Sequence, residues 1–116
     1  TATAASIAAP PLPNYTVADW EQWEGRWELI EGVPYAMSPL PVPKHQIVAS
    51  LLNIELGIAL RAYRKRFIVT HPIDYKLSDA TVLEPDLLII DRVPGKNHLD
   101  FPPRLVVEVH SPSTQA

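Results

Sequence analysis

The sequence predicts an α/β domain in which one long helix packs on a sheet that carries two acidic residues. Three observations lead there. Lys44 to about Arg64 has apolar residues at three- and four-residue steps, the pattern of a helix. Two late segments, Thr81-Val-Leu-Glu-Pro-Asp-Leu-Leu-Ile-Ile90 and Arg104-Leu-Val-Val-Glu-Val-His-Ser-Pro-Ser-Thr114, are rich in Val, Leu and Ile and bounded by turn formers. Such runs are expected to be strands buried on both faces. Each holds a carboxylate, Asp86 in the first and Glu108 in the second. An acid in an apolar strand needs a positive partner, and two on neighbouring strands make a divalent-metal site.

Composition bounds the rest. The chain has 116 residues, 47% of them hydrophobic, enough for one domain with a modest core. A net charge of -3 with 20% charged residues is that of an ordinary folded chain, and argues against a nucleic-acid binder working by bulk charge while leaving room for a local basic patch. Cysteine is absent, which removes disulfides and thiolate metal sites. No apolar run reaches the length of a membrane span, and the start lacks the basic flank of a signal peptide. A cytoplasmic enzyme or binding domain with no membrane partner is the expectation.

Residues 1–14 are Ala/Pro-rich and aperiodic, a tail or extended arm, and residues 15–116 form the domain. Thr16 with Asp19 three residues on is a capping box that starts a short helix, Val17 to Trp23. Arg26 to Met37 alternates apolar residues around Glu31-Gly32, a hairpin with Glu28 on its first strand. The Pro-studded link Ser38 to Pro43 enforces an extended path into the long helix. That helix should bury Leu51 and Leu52 against the sheet. His45 lies in its first turn, where a local hydrogen bond is expected and a carboxylate or phosphate contact is the alternative. Strands follow at Phe67 to Thr70 and Ile73 to Leu77. Arg61, Arg64, Lys65 and Arg66 read as a solvated helix end rather than a phosphate site, and Lys76 as solvated, with a catalytic lysine as the alternative.

Several stretches then carry a resemblance. Trp27-Glu-Leu-Ile-Glu-Gly32, Met37-Ser-Pro39, His45, Glu84-Pro-Asp-Leu87 and Leu105-Val-Val-Glu-Val-His-Ser-Pro-Ser-Thr114 occur in order. Together they resemble the Uma-type family of putative restriction endonucleases, within the PD-(D/E)XK nuclease superfamily. The resemblance implies a restriction-endonuclease-like α/β fold, a mixed β-sheet with one long packed helix and an N-terminal helix and hairpin. It implies hydrolysis of DNA phosphodiesters with Mg²⁺ or Mn²⁺ held by Asp86 and Glu108, commonly in a homodimer. Taken singly, Asp86 reads as a turn acid after Pro85 and Glu108 as a salt-bridged strand residue. Glu28 matches a recurring family position, and either reaches the same cleft or is an exposed edge-strand acid.

Two features depart from the superfamily pattern. It places a lysine two residues beyond the second acid, where this chain has His110. His110 shares a strand face with Glu108 and is a candidate acid, base or ligand, or else a polar strand end. In the Uma-type family the lysine comes from a helix after the Ser-Pro-Ser-Thr segment, followed by closing strands, and these are expected to be missing from a domain ending at Ala116. The competing expectation is a non-catalytic member, a nucleic-acid-binding or oligomerising scaffold of the same fold.

Overall fold

The computed structural model describes residues 13–37, 42–63 and 65–110. The expected tail up to residue 12, most of the Pro-rich link, Arg64 and the Ser-Pro-Ser-Thr segment lie outside the described residues.

Helix α1 is Val17–Trp20. Its capping box forms as expected, with Asp19 N–H donating to Thr16 Oγ1 at 3.4 Å and Thr16 N–H to Asp19 Oδ2 at 2.9 Å. The helix closes at Glu21, one turn sooner than expected. Strands β1, Trp27–Ile30, and β2, Val33–Ala36, form the hairpin, with Glu31 at φ 49° and Gly32 at φ 82°. Two positive φ values in a two-residue loop match the right-handed twist of the strands. The loop is tied down by Glu31 N–H to Thr81 Oγ1 at 3.1 Å and Gly32 N–H to the Ala80 carbonyl at 2.8 Å.

Helix α2 runs Pro43–Ala59, with proline at its start where the missing N–H costs nothing. A 3₁₀ turn, Arg61–Tyr63, closes it short of the expected end. Strands β3 (Ile68–Thr70), β4 (Asp74–Ser78), β5 (Thr81–Leu83), β6 (Leu87–Ile90), β7 (His98–Leu99) and β8 (Leu105–Val107) complete the described chain. They make a five-stranded sheet, β2-β1-β5-β4-β7, and a three-stranded sheet, β3-β6-β8. Among the described residues only β4 and β7 pair in parallel, so the sheet structure is mixed.

The run expected as one strand, Thr81 to Ile90, is two. Pro85 has no amide proton to continue a ladder, and the chain crosses between sheets there, β5 serving the large sheet and β6 the small one. All four residues of β6 are buried, as the apolar pattern requires. Leu88 and Ile90 pack with Leu99 and Phe101, and Ile68, Ile73 and Tyr75 close round them, joining the two sheets in one core. The Arg92 guanidinium lies 4.0 Å above the Phe101 ring and lids that cluster.

Two burial expectations fail. β8 lies at the edge of its sheet, and Leu105 and Val106 are exposed there, so a Val/Leu run did not mean two covered faces. Likewise α2 buries Ala49 and half-buries Leu52, Asn53 and Leu56, while Leu51 is 57% exposed. A helix apolar on more than one side cannot turn every side to one small sheet.

Candidate functional site

The acidic residues meet where β6 and β8 end. These strands pair antiparallel, with Leu87 opposite Val107 and Leu88 opposite Val106. Asp86 and Glu108 are the next residues beyond that last pair, at the same end of the two strands. Asp86 is held from two sides. Its Oδ2 accepts the Val109 amide at 2.7 Å and faces His45 Nε2 at 3.2 Å. The first of these bonds clamps the end of β8 to the start of β6. The second brings the first turn of α2 to the same carboxylate.

Glu28 reaches this region from β1. Its Oε2 accepts the Glu84 amide at 2.8 Å, so it supports the chain just before Pro85-Asp86. The carboxyl of Glu84 is paired with the Arg26 guanidinium at 3.5 Å. Burial raises the Glu84 pKa and the charge of Asp74 adds to it, against the lowering by Arg26.

Glu108 is the most perturbed of these acids. Much of the residue faces solvent, yet its carboxyl sits low beside Asp86. Burial first, then the negative charges of Asp86 and Glu28, push its pKa up to about 7. Charge crowding of this kind is relieved by a bound cation, and hard carboxylate oxygens suit Mg²⁺ or Mn²⁺. Among the described residues, no three His, Asp or Glu side chains form a group that would hold a metal unaided. A two-carboxylate arrangement still fits Mg²⁺, which commonly keeps its waters and takes substrate phosphate oxygens as its other ligands.

The chain matches the sequence model of Uma2, a family described as putative restriction endonuclease, over residues 15–116. The chain belongs to the Uma2 family. Its α/β content, mixed sheet and long helix agree with the restriction-endonuclease-like fold expected of that family. No curated protein matches it.

Within this Uma2 domain the sequence-derived candidates fare differently. Asp86, Glu108 and Glu28 come together. Among the described residues no hydrogen bond or ion pair links His110 to them. The β8 ladder ends at Val107, and His110 lies exposed beyond it, because the opposing chain has Pro85 and leaves for the other sheet. The strand pairing on which a shared face for Glu108 and His110 was expected is seen only as far as Val107. His45 goes beyond the local bond expected of it. It contacts Gln46 Oε1 through Nδ1 at 3.1 Å and also reaches Asp86. Lys76 is not solvated but pairs with Glu21 at 2.7 Å and stands over the Trp20 ring. Glu84 and Arg26 were missed. Their sequence signal was slight, an acid two residues before Asp86 across a proline and a basic residue heading β1.

Proposed function

We propose that this Uma2 domain is a metal-dependent DNA endonuclease centre, with Asp86 and Glu108 holding Mg²⁺ or Mn²⁺. The observation that supports it is the place of Asp86 and Glu108 just beyond the last β6–β8 pair, Leu87 with Val107, with the Val109 amide on the Asp86 carboxylate, in a chain of this family. When bound, such an ion activates water and neutralises charge on the phosphodiester. The protein's own groups prepare the site. The Val109 amide and His45 fix the rotamer of Asp86, and the Glu84 amide fixes Glu28 behind the pair. Glu28 adds negative charge that favours a cation in this place over an anion.

A non-catalytic scaffold of the same fold is the second reading. It draws support from the lysines, since among the described residues none pairs with Asp86 or Glu108, and Lys76 is committed to Glu21. A centre without an ammonium group to stabilise the developing charge should cleave on the order of a hundred- to a thousand-fold more slowly than one that has it. The homodimer is also part of the proposal. The exposed row Ile47, Leu51, Ile54 and Ile58 on α2 has the three- and four-residue spacing of a helix-packing seam.

Calorimetric titration with Mn²⁺ separates these readings, followed by plasmid cleavage with Mg²⁺ or Mn²⁺. Wild type should bind the ion, and Asp86→Asn and Glu108→Gln should each abolish binding and any cleavage. Equal Mn²⁺ binding by all three would remove the proposed site. Binding without cleavage would leave the scaffold.

A further inference from the structure

The small sheet carries opposite charge at its two ends. Its strands β3, β6 and β8 are antiparallel neighbours, with Ile68 opposite Ile90 and Leu105 opposite Ile89. The residues just outside those pairs gather at one end. They are Lys65 and Arg66 before β3, Asp91 and Arg92 after β6, and Arg104 before β8. Asp86 and Glu108 flank the other end. The 3₁₀ turn with Arg61 is tied to the basic end, since the Arg66 and Phe67 amides donate to the Tyr63 carbonyl at 2.7 and 2.9 Å. A segment that reads by itself as a solvated helix end is thus joined in space by arginines flanking two other strands.

These side chains are anchored and face outward. Asp91 receives a guanidinium on each oxygen, Arg92 Nη1 at 3.4 Å and Arg104 Nε at 3.3 Å. One carboxylate therefore holds two guanidiniums side by side, and each commits one nitrogen to it while the rest keep their N–H donors. The two arginine side chains are 61% and 63% exposed. Arg66 and Arg92 lie over the rings of Phe67 and Phe101, at 5.7 and 4.0 Å. Arg61, Lys65 and Arg66 are exposed, and among the described residues none of them joins an ion pair.

The chemistry narrows the partner. Two guanidiniums on one carboxylate keep an excess of positive charge, and a further anion offsets their mutual repulsion. Guanidinium forks suit phosphate oxygens. From β3 to β8 the ridge is two strand spacings wide, roughly 10 Å. A lone phosphate meets only part of that width. The charges of one DNA strand recur about every 3.4 Å along the duplex axis, so a backbone meets all of it. From Asp91 back to Asp86 is roughly 17 Å of extended chain, about five base steps of a duplex. Phe67 and Phe101 lie under guanidiniums and offer no open face for stacking, so the contacts go to phosphates and not to bases.

We infer that this basic end is a docking ridge for the phosphate backbone of duplex DNA, which it holds independently of sequence while the phosphate to be cleaved lies at Asp86 and Glu108. The inference rests on the proposed reading of DNA as the substrate. A net charge of -3 repels a polyanion overall, and the ridge is the part of the surface that admits one.

The test uses the 116-residue chain in EDTA, so that neither metal binding nor cleavage enters it. A labelled duplex of about 20 base pairs is titrated at several KCl concentrations and followed by anisotropy. Wild-type log affinity should fall linearly with log salt, by about 0.9 in slope for each phosphate neutralised. Lys65→Gln with Arg66→Gln should make that slope shallower by about two, and Arg104→Gln by about one more. Arg66→Lys should keep the slope, and a second duplex of unrelated sequence should bind as the first does. Arg92 is left in place because it covers Phe101. If the triple variant does not fold, Lys65→Glu alone serves and should shift the slope the same way. Equal slopes in wild type and variants would overturn the ridge, as would binding to phosphatidylserine vesicles with the duplex unbound. Asp86→Asn should keep duplex binding and its slope while losing Mn²⁺. Mn²⁺ uptake without salt-sensitive duplex binding would remove the ridge and leave the metal centre, and the converse would keep the ridge alone.

Discussion

Asp86 shows how one carboxylate can serve both fold and site. It clamps the Val109 amide and receives His45, and neither contact is local in sequence. His45→Ala should therefore leave the fold intact and weaken Mn²⁺ binding by about 10- to 100-fold, the usual effect of losing a group that orients a ligand. Calorimetry on the folded variant reads this, and unchanged affinity would deny His45 its orienting role. Glu108 makes a prediction about pH. Its pKa rises from an ordinary 4.5 to about 7, so the folded protein binds that proton more tightly than the unfolded chain. The stability it contributes is fully present below about pH 4.5 and is lost as pH rises through about 7. Asp74 and Glu84 are shifted the same way. In EDTA, denaturant midpoints should fall across that window, and Glu108→Gln should flatten the fall. At the hairpin, Gly32 has φ 82°, and an added Cβ would stand 3.2 Å from Asn14 Cα. Gly32→Ala should cost more than about 1 kcal/mol, through backbone strain and that close approach.

Among the elements, α2 and β6 divide their duties unexpectedly. The long helix has the stronger sequence signal, but the short strand is the centre of the core. Leu88 is fully buried on β6, and truncating it to Ala should cost about 2–5 kcal/mol. Leu51→Ala on α2 should change stability by less than about 0.5 kcal/mol in the monomer, since that side chain is mostly in solvent. Urea midpoints at low protein concentration would test the pair. A large loss at Leu51 that grows with concentration would instead report the proposed dimer seam. Periodicity alone did not foresee this, because α2 is apolar on several sides and the pattern does not say which side meets the sheet. For β8 the difficulty was position. A strand's sequence does not state whether it is central or at an edge.

For the molecule as a whole, metal binding and folding should be linked. An ion that binds only the folded chain adds about 2.7 kcal/mol at one hundred times its Kd. Thermal scans should show Tm rising with Mn²⁺ above pH 7, with a smaller rise near pH 5 where Glu108 is protonated. Asp86→Asn should remove the effect at both values. A metal-induced rise of equal size in that variant would point to binding elsewhere.

The sequence by itself determined the local elements and the family. Thr16 and Asp19 set the first cap, Glu31-Gly32 the hairpin, and the Glu84-Pro85-Asp86 and Glu108 elements the Uma2 assignment. Such features are decided by neighbours a few residues apart, through dihedral preference and short-range hydrogen bonds. Only the tertiary structure decided that Thr81 to Ile90 breaks into strands of two sheets, that His45 reaches Asp86, and that Glu28 accepts the Glu84 amide. It also decided that three tryptophans and three acids wall one hollow. Those outcomes depend on sheet order and on where a ladder ends at Pro85. They join residues up to 80 positions apart, Glu28 and Glu108 among them, whose meeting no local periodicity encodes.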